Sequence, residues 1–191
     1  MKKEQYLEIL KESGAVLNGH FLLTSGLHSD TYVEKFKMLQ FPLLCDTLCK
    51  GIADHFASTK PSVVLGAATG GIVISHSVGR VLATRSIFAE REETQLTLRR
   101  GFNIENGERV LIVDDVLTTG GSLFELIDLV LKYSGVIAGI GVIIDRSGGK
   151  VDFEFPFFAL ISMAIPAYRP EDCPLCAAGT PLTTRGRSGK K

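Results

Sequence analysis

From residue 62 to residue 161, short apolar runs alternate with stretches whose apolar positions recur at helical spacing. Ser62–Leu65, Ser86–Ala89, Arg109–Val113, Val136–Ile144 and Phe157–Ile161 read as strands, several of them dense in Val and Ile. Gly71–Leu82 and Ser122–Tyr133 read as the helices between them. Near-continuous apolar strands linked by helices are the mark of a sheet buried on both faces. The pattern therefore predicts an α/β fold, with a mostly parallel five-stranded sheet flanked by helices. Upstream, Pro42–Phe56 reads as a helix, and Gln5–Ser13 as an amphipathic one with Tyr6, Ile9 and Leu10 on one face. Phe21-Leu22-Leu23 and Thr31-Tyr32-Val33 flank a polar turn, Thr24–Asp30, and predict a small strand-rich element apart from the main sheet. Phe153, Phe155 and Phe157 alternate, as one buried face of a strand would. The organisation expected is one domain over residues 1–182, with a small N-terminal part over 1–40 and a core over 41–165, followed by a basic flexible tail at 183–191.

In sheets of this kind ligands sit beyond the carboxyl ends of the strands. The turns there are Gly66–Gly71, Glu90–Arg99, Asp114–Ser122 and Asp145–Gly149, and chemistry is expected in them.

At 191 residues the chain can bury a full core. Lysine plus arginine (21) balance aspartate plus glutamate (21), which argues against a polyanion-binding surface, and no nucleic-acid partner is expected. The N-terminus lacks the apolar region of a secretory signal. The longest apolar run, Phe155–Tyr168, is too short for a bilayer and contains Pro156 and Pro166, so a cytoplasmic protein without a membrane partner is expected. Cys45 and Cys49 lie one turn apart on a helix and read as core residues. Cys173-Pro174-Leu175-Cys176 has zinc-knuckle spacing but half the ligands. Reduced thiols are the favoured reading; a metal would need the other cysteine pair, a histidine or a second subunit.

The most informative stretch is Val110-Leu111-Ile112-Val113-Asp114-Asp115-Val116-Leu117-Thr118-Thr119-Gly120-Gly121-Ser122. A buried strand is expected to end at an acidic pair, followed by a glycine-hydroxyl loop and the start of a helix. Such a helix start binds phosphate through backbone N–H groups, and carboxylates beside it can accept hydrogen bonds from ribose hydroxyls. A Gly-x-x-x-x-Gly-Lys-Ser/Thr loop is absent, and Gly66-Ala67-Ala68-Thr69-Gly70-Gly71 is not the dinucleotide fingerprint.

The stretch closely resembles the phosphoribosyl-pyrophosphate (PRPP) signature of type I phosphoribosyltransferases. The resemblance implies that Asp114 and Asp115 contact the ribose, that Val116, Leu117, Thr118, Thr119, Gly120, Gly121 and Ser122 wrap the 5′-phosphate, and that Ala67, Ala68, Thr69, Gly70 and Gly71 hold pyrophosphate. It also implies Mg²⁺, held mainly by substrate oxygens and water rather than by protein ligands.

Upstream, His20-Phe21-Leu22-Leu23-Thr24-Ser25-Gly26 through Tyr32-Val33-Glu34-Lys35 resembles the entry segment, or hood, of orotate phosphoribosyltransferases. Lys35 takes the position of that family's substrate-contacting lysine, and Asp145-Arg146 matches its Asp-Arg pair. Orotate is a planar carboxylate, and a guanidinium fork suits it. Phe21, Lys35, Thr118 and Arg146 are the expected acceptor contacts. Arg99-Arg100-Gly101-Phe102, Ala89-Glu90-Arg91-Glu92 and the terminal Cys-Pro-Leu-Cys are similar to a shorter bacterial subgroup, and the likeness extends over residues 5–182. The activity implied is transfer of ribose 5-phosphate from PRPP to orotate N1, with release of pyrophosphate, in de novo pyrimidine synthesis.

The chain departs from better-known members in its cations. Lysine is absent between Lys60 and Lys132, no histidine follows His76, and Gly70 stands where the pyrophosphate-loop lysine would be. Glu90–Leu98 is polar and long enough for a lid. Arg91 within it, with Arg99 and Arg100 at its hinge, are the candidate catalytic cations. The resemblance adds that the lid closes over a neighbouring subunit in a homodimer. A purine-type transferase, or a non-catalytic regulator sensing PRPP, remain alternatives.

Overall fold

The computed structural model describes residue 1, residues 3–23 and residues 25–184. Helix α1 (Lys3–Glu12) leads into strands β1 (Val16–Leu22) and β2 (His28–Val33), then helices α2 (Lys35–Leu39) and α3 (Pro42–Phe56). The core follows as β3 (Val63–Ala67), α4 (Gly70–Leu82), β4 (Arg85–Glu92), β5 (Gln95–Leu98), β6 (Arg109–Leu117), α5 (Gly121–Lys132), β7 (Val136–Asp145) and β8 (Phe157–Ser162). A short α6 (Pro174–Ala177) and β9 (Thr183–Thr184) close the described chain.

The main sheet has six strands in the order β5-β4-β3-β6-β7-β8, one more than the expected five. The five expected strands pair in parallel, and β5 is added antiparallel to β4. The stretch read as a polar lid is thus a hairpin, with Glu92 paired to Gln95 across a two-residue turn. Glu93 takes a positive φ of 52° in that turn, as two-residue hairpin turns require. An edge hairpin needs apolar residues on one face alone, here Ala89 and Leu96, and its run of charges hid it.

Period-two alternation sorts the sheet residues into two cores. Val64, Leu111 and Val113 face α1, α3 and α4, while Val63, Leu65, Val110 and Ile112 face α5. On β7, side chains at Gly139 and Gly141 would collide with Phe56 and Ile52 of α3, so glycine lets that helix lie close on the sheet. Phe153 and Phe157 pack together in the α5-side core with ring centroids 5.2 Å apart, but Phe153 and Phe155 precede β8 in irregular chain. Their alternation reflects burial rather than a strand.

The small N-terminal element is a separate sheet, ordered β2-β1-β9. Its third strand comes from Thr183–Thr184, residues that the sequence assigns to the tail. The rest of the expected tail, 185–191, lies outside the described residues, as do Lys2 and Thr24. Among the described residues, no helix is long and apolar enough to cross a membrane.

Candidate active site

Strand β6 runs on through both aspartates to Leu117, because β7 continues to pair with it: Asp114 faces Val142 and Val116 faces Ile144. The acidic pair therefore lies inside the strand, where adjacent side chains diverge to opposite faces. Asp114 lines a pocket of about 220 Å³ with Thr118, Gly120, Gly121, Ser122 and Glu125, and Asp115 does not. The pocket closes on the N-terminus of α5, whose first N–H groups lack intrahelical partners and suit an anion. Gly120 makes this turn at φ 82°, and a side chain there would press on Phe124 and Val151.

Asp115 is buried and points toward α4 and the hood. Lys35, at the start of α2, donates to its Oδ1 at 3.1 Å and lies 2.9 Å from Oδ2, a charge contact without hydrogen-bond alignment. Both groups crowd Gly70, where a Cβ would collide with Asp115 Oδ2 and come within 3.4 Å of Lys35 Nζ. A side chain at Gly66 would likewise collide with the backbone of Gly71, so the β3–α4 turn is shaped by glycine contacts on both sides. Ala67, Ala68, Thr69, Gly70 and Gly71 form this turn, which contains a cis peptide between Ala68 and Thr69. Burial and the neighbouring Asp115 push the Asp114 carboxyl up from 3.8 to about 7, with the Asp115 N–H and Lys35 opposing.

At the end of β7, Arg146 has a buried Nε with no hydrogen-bond partner among the described residues. Burial lowers its affinity for a proton, and the nearby Tyr32 opposes that shift. Tyr32 belongs to the hood, where its ring meets Phe21 at 5.5 Å. Phe21, Tyr32 and Lys35 thus come from the hood and the helix after it, and Thr118 and Arg146 from the strand ends of the core.

The three candidate lid arginines stand in ion pairs. Arg91 Nη2 binds Glu125 Oε1 at 2.8 Å; Arg100 makes two bonds to Glu90 at 2.8 and 3.0 Å; Arg99 lies 3.6 Å from Glu92. All three pairs are at least partly exposed. Glu125, which sequence reasoning passed over, also accepts from Leu96 N–H at 3.1 Å and so fastens the hairpin to α5 at the phosphate pocket. Its signal was present: four residues after Gly121, it falls on the same side of α5 as that pocket residue. Tyr32 was read as a hood strand residue and not as a neighbour of Arg146.

A mostly parallel sheet whose strand order reverses between β3 and β6, a helix N-terminus with hydroxyls and glycines, and a strand-borne acidic pair define a phosphoribosyltransferase of type I. The model of the phosphoribosyl transferase domain matches residues 37–167. The chain is 46% identical over 190 residues to orotate phosphoribosyltransferase of Caldicellulosiruptor bescii, covering all of both chains. Its identity to that of Thermotoga maritima is also 46%, covering 96% of this chain and 98% of the relative. The chain belongs to the orotate phosphoribosyltransferases of the type I phosphoribosyltransferase family. Among solved structures, the orotate phosphoribosyltransferase of Aeropyrum pernix shares the fold, with a TM-score of 0.70 at 24% identity over 82% of this chain and 92% of that one.

Proposed function

We propose that this chain transfers ribose 5-phosphate from PRPP to orotate, releasing pyrophosphate, in the cleft between hood and sheet. The observation that carries the reading is Asp114 at the lip of a pocket built on the N-terminus of α5. That pocket takes the 5′-phosphate, with Thr118, Thr119 and Ser122 hydroxyls adding donors and Gly120 and Gly121 letting the backbone close in. Asp114, one sugar away, accepts from the ribose hydroxyls and favours positive charge developing at the anomeric carbon. The Ala67–Gly71 turn offers backbone donors to pyrophosphate.

Asp115 has a different task from Asp114. It holds Lys35 Nζ beside Gly70, so a cation reaches the pyrophosphate turn from the hood, where the turn itself has none. Mg²⁺ would fit on the Asp114 side: that carboxylate, facing the phosphate pocket, would accept from the ion's coordinated waters, and the ion when bound would neutralise pyrophosphate charge. Arg146 meets the orotate carboxylate or ring oxygens, with Phe21 and Thr118 bounding the base. Exchange of glutamate partners for pyrophosphate would bring Arg91, Arg99 or Arg100 into the site, and a homodimer would let the hairpin serve the neighbouring subunit.

The test is consumption of orotate, followed by absorbance with PRPP and Mg²⁺, beside parallel reactions with uracil, adenine and hypoxanthine. Turnover with orotate and not the others is expected. A purine accepted in its place would overturn the acceptor assignment while leaving the donor site standing.

A further inference from the structure

Four metal-capable side chains that the proposed reaction does not use converge between the hood strands and the C-terminal segment. His20 from β1, His28 from β2, Cys173 at the N-cap of α6 and Cys176 within that helix bring their ligand atoms within 4.8 Å of one another. His20 Nε2 lies 3.0 Å from His28 Nδ1, 3.5 Å from Cys173 Sγ and 3.7 Å from Cys176 Sγ, and Cys176 Sγ lies 3.2 Å from His28 Nδ1. A tetrahedral zinc with ordinary bond lengths separates its ligands by about 3.3 Å (N to N), about 3.6 Å (N to S) and about 3.8 Å (S to S). The N–N distance and the three N–S distances above lie within about 0.4 Å of those values, and all four ligand atoms lie within 4.8 Å of one another. Neither cysteine is in a disulfide.

The surroundings are built for ligation. His20, His28 and Cys173 are buried. His20 Nδ1 lies 2.7 Å from the carbonyl oxygen of Thr180, which accepts its proton and leaves the Nε2 lone pair turned to the cluster. Hydrogen bonds alone are a poor reason for such crowding, since thiols donate weakly.

We infer that His20, His28, Cys173 and Cys176 bind one structural zinc ion that staples the C-terminal segment to the hood. Two nitrogen and two thiolate ligands suit zinc above harder cations, and with four protein ligands no position is left for substrate water. The segment needs a staple: from residue 166 to residue 184, Cys173 alone is buried. Its other ties include a bridge between His28 and Tyr168, the Ser29 hydroxyl donating to Pro166 O, the Thr180 carbonyl accepting from His20 Nδ1, and the short β9 pairing. Phe21 of the candidate acceptor site follows His20 directly, so the ion also fixes the strand that carries it.

The test is metal analysis of the untagged full-length protein by plasma mass spectrometry, with about one zinc per chain expected. Cobalt replacing zinc in the chelator-stripped protein should give thiolate charge-transfer absorption, lost in Cys173→Ser and Cys176→Ser. Stripped wild-type protein should be cleaved by chymotrypsin after Tyr168, and added Zn²⁺ should restore protection, a readout independent of whether the variants fold. Protein that contains no zinc and neither binds added Zn²⁺ nor changes its cleavage would overturn the inference. So would a Cys173–Cys176 disulfide in protein isolated without reductant, or zinc retained in full by both serine variants.

Discussion

Lys35 Nζ and the Asp115 carboxylate, eighty residues apart in sequence, meet at 2.9 Å beside Gly70. The pair ties the hood to the centre of the sheet. It also gives the lysine a second role besides the acceptor contact expected from sequence. Asp115 is almost wholly buried and Lys35 partly exposed. Removing the lysine alone strands a buried carboxylate, and because the lysine end of the pair is partly exposed the loss is about 1–3 kcal/mol. Lys35→Met should therefore lower the thermal midpoint, and Asp115→Asn added to it should recover most of the loss. A double variant no more stable than the single one would show that the pair does not hold the hood.

Gly70 has a separate consequence. Because its missing Cβ makes room for Asp115 Oδ2, Gly70→Ala must displace either the carboxylate or the turn. The expected outcome is loss of PRPP affinity, measured by calorimetry, with orotate affinity less affected. Unchanged PRPP affinity would show that the turn relaxes without disturbing the donor site.

Asp114 makes stability depend on pH in a defined direction. Its carboxyl is raised from 3.8 to about 7 in the fold. Between those values the unfolded chain releases a proton that the folded chain keeps, so stability falls as pH rises through the window and levels off above about 7. Above about 7 the burial of the ionised carboxyl is a net cost to the fold. Asp114→Asn removes it, and the variant's gain in thermal midpoint should be greater at pH 8 than at pH 4.5. An equal gain at both would contradict the raised value. Turnover of the same variant should fall by orders of magnitude, since the ribose contact is lost.

Much of this arrangement was legible in the chain. The Asp114–Ser122 run is local: strand, acid pair, loop and helix start are contiguous, and period-two and helical spacing report them directly. What the run did not disclose is that β6 outlasts Val113, since only the pairing of Val116 with Ile144 on β7 reveals it. The same applies to the hairpin. Leu96 and Ala89 are few apolar signals among charges, and the pairing partner supplies the rest. The Cys173–Cys176 spacing showed half a ligand set. The other half, His20 and His28, stands about 150 residues away in sequence and is brought close by β9 and the Tyr168 bridge. Contacts of that separation leave no trace in local periodicity.

Arg146 carries the acceptor prediction. Its buried Nε is a donor without a partner among the described residues, a cost that an anionic ligand removes. Arg146→Ala should weaken orotate binding by about 10- to 150-fold, the equivalent of about 1.5–3 kcal/mol for a charge-assisted bond, while PRPP binding stays near wild type. Calorimetric titration of each substrate separates the two, and equal orotate affinities would remove Arg146 from the site.

The hairpin offers the last prediction. Glu125 receives Arg91 at 2.8 Å and Leu96 N–H at 3.1 Å, and it also lines the phosphate pocket. A single carboxylate thus couples the edge strand to the place where substrate phosphate enters. A phosphate in that pocket repels Glu125 and attracts Arg91, so both contacts weaken together as PRPP binds. Glu125→Gln should imitate that release. It keeps an acceptor for Leu96 N–H but loses the ion pair, so amide exchange over 91–97 should rise without global unfolding. Turnover should then separate two roles for the arginines. If Arg91 meets pyrophosphate, Glu125→Gln holds or raises kcat while Arg91→Ala lowers it at saturating PRPP. If Arg91 serves the hairpin alone, both substitutions loosen it alike and kcat moves together. Arg99→Ala and Arg100→Ala complete the comparison, because their partners Glu92 and Glu90 lie within the hairpin and not in the pocket wall. Full turnover in all three alanine variants would leave pyrophosphate to Lys35, the backbone donors of the Ala67–Gly71 turn and Mg²⁺.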